Sequence, residues 1–235
     1  MPYLNCIDAE PHIGIVDSGY GPELARWVAA GRRFVLTGDD VTEEEPLDDA
    51  LGHGSAVLRA IVARAPSVRF SVAQVFDRRG VTSSLQIAAA LRWLRGRGAH
   101  LVNLSLGVRQ DRPILRAACA ELLSAGVLIC ASSPARGEPV FPASYPGVIR
   151  VTGDARCAAE EWSWLDSPQA DFGAAVSNCG HSGASSGCAA FCGHLAALIS
   201  DNPGASSTWL LRRMRDGARY RGMERKTKGD ICDND

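Results

Sequence analysis

The 235-residue sequence lacks any apolar run approaching the roughly 18 residues needed to span a bilayer, so no membrane helix is expected. It also lacks an excess of charge of one sign. The formal net charge is −1, with 22% charged and 46% hydrophobic residues, which excludes nucleic acid or a membrane surface as the expected main partner. The N-terminal stretch MPYLNCIDAEPHIGIVD has no basic region and carries two acids before its first apolar run, so it does not read as a secretory signal. Internal repeats and low-complexity linkers are absent too. Eight cysteines are present, but at scattered spacings unlike those of a small disulfide scaffold. With no export signal, reduced thiols in the cytoplasm are the expectation.

What is present is an alternation of short apolar runs with helical patterns. HIGIVDSG (12–19), VRFSVAQVF (68–76), HLVNLSLG (100–107), GVLICAS (126–132) and GVIRVTG (147–153) read as strands. Between them, helical spacing appears in 52–66, around Ile87–Leu94 with Thr82 or Ser83 as cap, and around Leu115–Leu122. Further helices open near Ser185 and near Ser206 or Ser207. The alternation predicts an α/β domain, a three-layer, doubly wound, mostly parallel sheet with helices on both faces. One domain is expected over residues 1–220, followed by a basic then acidic tail over 221–235.

In such folds chemistry gathers outside the carboxyl ends of the strands. Asp17 ends a strand, His53 opens a helix, and Ser182, Ser185 and Ser186 crowd the head of an apolar helix. Singly, each reads as a turn or cap residue. Together they supply attacker, base and a carboxylate that fixes the base's tautomer.

The segments IVDSG, GHGSAV, VNLSLG, FPASYPGVIRVTG and SGASSGCAAFCGHLAALI resemble, in order, the signature segments of subtilisin-like serine proteases. The resemblance covers residues 12–200 and includes the Asp…His…Ser order. It implies a subtilisin-like fold and a catalytic Asp17, His53 and Ser185. Ser185 is chosen because Gly183 and Gly193 lie at the family's offsets from the nucleophile. The resemblance further implies the Ser185 N–H as one oxyanion donor and Ser105, Leu106 and Gly107 as a strand that pairs with substrate. Pro142 and His181 are implied substrate contacts, Phe141-Pro142 matching a segment where the family often has a cis proline.

The pattern departs in places. The family's asparagine oxyanion donor is missing from CASSPARGEP (130–139), where Ala135 takes its position in ungapped counting and Ser133 or Pro134 with a small shift. Ser132, Ser133 or a backbone N–H is the expected substitute, or the enzyme is slow. RAIVARAPSVRF carries no carboxylate, so no structural calcium is expected after His53, and no metal or cofactor is expected elsewhere. With Asp17 so near the start, no propeptide is expected either.

Three further features have two readings each. DDVTEEEPLDD (39–49), with seven carboxylates, is a solvated loop or an acidic lining that selects a basic peptide. Cys188 and Cys192, with Cys179, His181 and His194 nearby, are core residues or a zinc site, core being the expectation. The basic stretch LLRRMRDGARYRGMERKTK is a solvated helix and tail or a docking surface for an acidic partner.

The expected function is that of a cytoplasmic serine endopeptidase acting on a specific peptide or protein. In general character it is similar to dedicated proteases that trim leaders from ribosomally made precursors, such as the small subunit of quinohemoprotein amine dehydrogenase. The alternatives are a peptide-binding pseudoprotease and a general degradative protease.

Overall fold

Alternation along the first strand sets the layers. In β1 (His12–Asp17), Ile13 and Ile15 face one side of the sheet while Gly14 and Val16 face the other, as a period of two requires. The computed structural model describes residues 11–178 and 181–224, with 177, 178, 181 and 182 described by backbone alone. The expected tail lies outside the described residues from 225 onward. Its expected start at 221 falls within a strand, because Arg221 pairs with Trp164.

After β1 a 3₁₀ turn (Pro22–Trp27) leads into a hairpin, β2 (Val28–Thr37) and β3 (Asp40–Glu44). Then follow α1 (His53–Val62), β4 (Arg69–Gln74), α2 (Ser84–Gly96), β5 (Leu101–Leu104), α3 (Pro113–Ser124), β6 (Leu128–Ser132) and β7 (Ile149–Gly153). Four short strands, β8 (Trp162–Trp164), β9 (Phe172–Ala174) and the small pair β10 (Ser177–Asn178) with β11 (His181–Ser182), precede α4 (Ala184–Asp201). The described chain closes with α5 (Ser207–Asp216) and β12 (Tyr220–Arg221).

The large sheet runs β12-β8-β9-β7-β6-β5-β1-β4-β2-β3. From β2 to β9 every neighbour is parallel; the β2–β3 hairpin and the β8–β9 pair are antiparallel. This is the expected three-layer, mostly parallel α/β arrangement. Helices α1, α4 and α5 cover one face, packing Leu58, Ile61, Phe191, Leu195 and Leu210 on Ile13, Ile15, Phe70 and Val72. Helices α2 and α3 cover the other, with Ile87, Leu91, Leu94, Leu115 and Leu122 on Val16, Val102, Leu104 and Ile129. Among the described residues no helix is long and apolar enough to cross a membrane.

The hairpin was expected to be a polar loop, and the structure corrects that. Gly38, with φ of 63°, makes the turn that lets Leu36–Val41 and Phe34–Glu43 pair. Asp40, Glu43 and Glu44 thus sit on an exposed edge strand, a charged edge of the kind that discourages further strand addition.

From β1 the chain crosses to β4 on one side and, through α2, to β5 on the other. The carboxyl end of β1 is therefore the point where strand order reverses, and open parallel sheets form a crevice there. Asp17 is the last residue of β1, and Ser105 directly follows β5.

Candidate active site

Asp17 is completely buried, and its Oδ1 collects three donors. The Ser18 N–H donates at 2.7 Å, the Ser18 hydroxyl at 3.2 Å, and His53 Nδ1 at 2.7 Å. A carboxylate can only accept, so Nδ1 carries a proton in this bond, and in the neutral ring Nε2 is the basic nitrogen. The hydrogen bond to Asp17 raises the His53 pKa above the ordinary 6.5; burial opposes it, and the charges of Asp17 and Asp49 add to the rise.

The Asp17–His53 distance depends on how closely α1 approaches the loop after β1. A Cβ on Gly54 would lie 2.2 Å from the Gly19 carbonyl oxygen, so no other residue fits there. The Ser18 hydroxyl accepts from the Gly54 N–H at 2.9 Å, and the Ser55 hydroxyl accepts from the Gly21 N–H at 3.0 Å. These bonds join the head of α1 to the segment that carries Asp17.

Ser185 is brought in by α4. The Gly183 before this helix has φ of 91°, a conformation that favours glycine and turns the chain sharply into the first turn. The Ser185 N–H belongs to that turn, where N–H groups have no helical acceptor and can serve an anion. Ser185 and His53 line one small cavity together with Ala56 and Ala189. The Ser185 hydroxyl donates to the Ser105 carbonyl at 2.9 Å, and the Ser105 hydroxyl donates to the Ser185 carbonyl at 3.2 Å. Asp17, His53 and Ser185, distant in sequence, thus meet where three elements converge.

Beside this cluster lies a cleft of about 310 Å³ lined by Asp17, His53, Phe76, Thr82, Leu106 and Gly107. Ser105 and Val108 also reach it. Val108 exchanges both backbone hydrogen bonds with Phe141 (2.7 and 2.9 Å), which anchors the far end of the 105–108 segment. The Phe141–Pro142 bond is cis; Pro142 itself is buried and does not line the cleft. His181 falls where only backbone is described, and Cys179 lies outside the described residues.

The hydroxyls named as oxyanion substitutes have other partners. Ser132 donates to the Leu106 carbonyl at 3.4 Å and Ser133 to the Gln169 carbonyl at 2.6 Å, both from buried positions, while the Ser133 N–H is bonded to Val151. Ala135, in contrast, is exposed on the following loop. Cys188 and Cys192 are fully buried in the core. Burial pushes the Cys188 thiol well up, away from the thiolate a metal needs.

Sequence reasoning missed several residues. Phe76, Gly80 and Thr82 line the cleft, Thr82 having been weighed only as a cap, a role that Ser83 fills by accepting from the Gln86 N–H. Asp49 was weighed as a solvated or substrate-facing acid. Instead its carboxylate caps α1, accepting from the N–H groups of Leu51 (3.2 Å), Gly52 (2.9 Å) and Ser55 (2.8 Å) and from the Ser55 hydroxyl (2.8 Å). The usable signal was an Asp shortly before a helix start with Ser inside its first turn.

No protein-family model matches the chain. Among curated proteins it is similar to a thermostable alkaline protease of Halalkalibacterium halodurans, 27% identical over 150 residues, which is 59% of this chain and 40% of the relative. It is 29% identical over 150 residues to Subtilisin Savinase of Lederbergia lenta, covering 59% of this chain and 54% of that one. It is 33% identical over 137 residues to the subtilisin-like protease het-Q2 of Podospora anserina, covering 53% and 35%. The matched part is thus about half or less of each of these relatives' own length. Among solved structures, the S41 psychrophilic protease superposes with a TM-score of 0.68 at 19% identity, covering 89% of this chain and 83% of that one. In fold, then, the chain shares the α/β architecture of a known protease, and in sequence it is similar to subtilisin-like proteases.

Proposed function

We propose that the chain is a serine endopeptidase in which Asp17, His53 and Ser185 act as a triad. The observation that carries the reading is the buried Asp17 bonded to His53 Nδ1 at 2.7 Å, with the Ser185 side chain lining the same small cavity as the imidazole. The proton that Ser185 now gives to the Ser105 carbonyl turns to His53 Nε2, and Oγ attacks the peptide carbonyl carbon. The carbonyl electron pair moves onto oxygen, where the Ser185 N–H donates to it. His53 then returns the proton to the departing amine as the C–N bond breaks. Water, deprotonated by the same imidazole, cleaves the acyl ester. Ser105, Leu106 and Gly107 bind the extended substrate along the cleft.

The finer reading is a dedicated processing enzyme of a reducing, cytoplasmic compartment, cutting a leader or partner protein. Its support is chemical: Cys119, Cys130, Cys157, Cys188 and Cys192 are free and buried, as suits a reducing environment. A modest catalytic rate fits a processing role, because the only oxyanion donor we assign is the Ser185 N–H.

A fluorophosphonate probe, which phosphonylates only an activated serine, tests the proposal. Wild-type protein is expected to be labelled and Ser185→Ala to remain unlabelled. Absence of labelling on folded wild-type protein, or label retained by Ser185→Ala, overturns it. The same assay addresses a second reading, a peptide-binding protein that does not cut. That reading is favoured by the Ser132 and Ser133 hydroxyls being bonded to carbonyls rather than left for an oxyanion.

A further inference from the structure

The carboxylate of Asp49 has no step in the reaction just described, yet it has more hydrogen-bond donors than any other carboxylate near the site. Oδ1 accepts from Leu51 and Gly52, and Oδ2 from the Ser55 N–H and hydroxyl, the four contacts spanning 2.8–3.2 Å. Ser55 is also a bridge, since its hydroxyl accepts the Gly21 N–H while donating to Asp49. The Asp49 N–H itself donates to the Tyr20 carbonyl at 3.3 Å, and Tyr20 forms a parallel bridge with Asp48. On one side of this network is the loop that follows Asp17. On the other is the first turn of α1, whose first residue is His53.

A second line of argument is electrostatic. The start of a helix carries the positive end of its dipole, which disfavours an imidazolium there. A catalytic histidine in that position must accept a proton during the reaction, so it needs compensating negative charge. Among the charged groups acting on it are Asp17 from β1 and Asp49 from the loop before α1. Helix α4 and the segment after β5 also pack against the site. They present Ser185, Ser186, Ala189, Ser105, Leu106 and Gly107 to its two cavities, none of them charged.

We propose that Asp49 is a positioning residue of this site: it ties the first turn of the histidine helix to the aspartate-bearing loop and supplies the imidazole with a second fixed negative charge. This rests on the reading of His53 as the general base. Burial works against ionisation of Asp49, but the Ser55, Ser18 and Gly52 donors outweigh it and hold its pKa below the ordinary 3.8, so the charge is present whenever His53 titrates.

The test is the titration of the His53 ring protons by NMR in a Ser185→Ala background, where no turnover enters. Asp49→Asn retains an acceptor for the cap and removes the charge. Its His53 midpoint is expected to fall by about half a pH unit, the size of effect one partly screened charge gives. In the active protein, the fluorophosphonate reaction rate on the acid side should correspondingly rise about threefold relative to its own plateau. Ser55→Ala keeps the charge and loses the bridge, so it should lower thermal stability and leave the midpoint in place. Should the asparagine variant not fold, Asp49→Ser, which also caps a helix without charge, is expected to give the same displacement. A purely structural cap would reduce stability in each variant and move no midpoint. An unchanged midpoint in a folded charge-removing variant overturns the proposal, as does an equal displacement in Ser55→Ala. Failure of the peptidase reading would show separately, as wild-type protein that takes no fluorophosphonate at any pH.

Discussion

His53 owes its role to a contact that fixes which nitrogen is protonated and how tightly the second proton is held. Because the Asp17 hydrogen bond raises its pKa, more than half of the imidazole is protonated, and unable to act as a base, at pH 6.5. The acid limb of kcat/KM, or of the fluorophosphonate rate, is therefore expected to have its midpoint above 6.5 and to move down in Asp17→Asn. The linked stability effect has the opposite sense: a raised imidazole stabilises the fold below pH 6.5, and that contribution fades as pH rises through the folded-state value. A second prediction concerns Gly54. Its missing Cβ would stand 2.2 Å from a backbone oxygen, so Gly54→Ala must push α1 away from Asp17. A loss of about 1–3 kcal/mol in chemical denaturation, with a larger proportional fall in labelling rate, is expected. The strand end at Asp17 and the helix heads at His53 and near Ser185 were legible because periodicity locates them; the choice of Ser185 among the neighbouring serines is what the family resemblance implies. The directions of the Ser132 and Ser133 hydroxyls were not legible. They depend on the Leu106 and Gln169 carbonyls, which approach only in three dimensions.

Helix α4 carries Ser185, and it is apolar on nearly every side because it packs against both the sheet and α1. A polar contact in the body of the helix interrupts that packing. His194 Nε2 accepts from Arg64 Nε at 3.1 Å, which requires a neutral ring, and the imidazole packs on Trp162 with centroids 5.0 Å apart. Burial first, and the Arg64 charge second, push its pKa down to about 4. The unfolded chain binds a proton near pH 6.5 that the folded chain refuses, so stability falls as pH drops from there toward 4. The contribution is up to roughly 3 kcal/mol, and His194→Gln should flatten the decline of Tm over this interval. The helices were read nearly correctly because their apolar residues recur at helical spacing. The β2–β3 hairpin was not, because Asp40–Glu44 has the composition of a solvated loop and is a strand only by pairing with β2.

At the scale of the molecule, two cores flank one sheet, and the order of strands decides where they can be weakened without touching the site. Phe191 is fully buried against Phe172, ring centroids 4.5 Å apart, on the face shared by α1 and α4. Phe191→Ala is expected to cost about 3–5 kcal/mol, read as a lower denaturation midpoint at unchanged slope. Alternating strands and helices made a parallel sheet readable; strand order and the short β8, β9 and β12 were not, since strands of two or three residues carry no periodicity of their own. The same topology separates the working groups in time. Asp17 and His53 are 36 residues apart, but Ser105 meets Ser185 across 80, and Arg64 meets His194 across 130. During synthesis the ribosome therefore releases the carboxylate and imidazole long before the hydroxyl can join them. Under the proposed triad, a nascent chain stays inert toward itself and its neighbours until translation has passed α4, a built-in delay before activity.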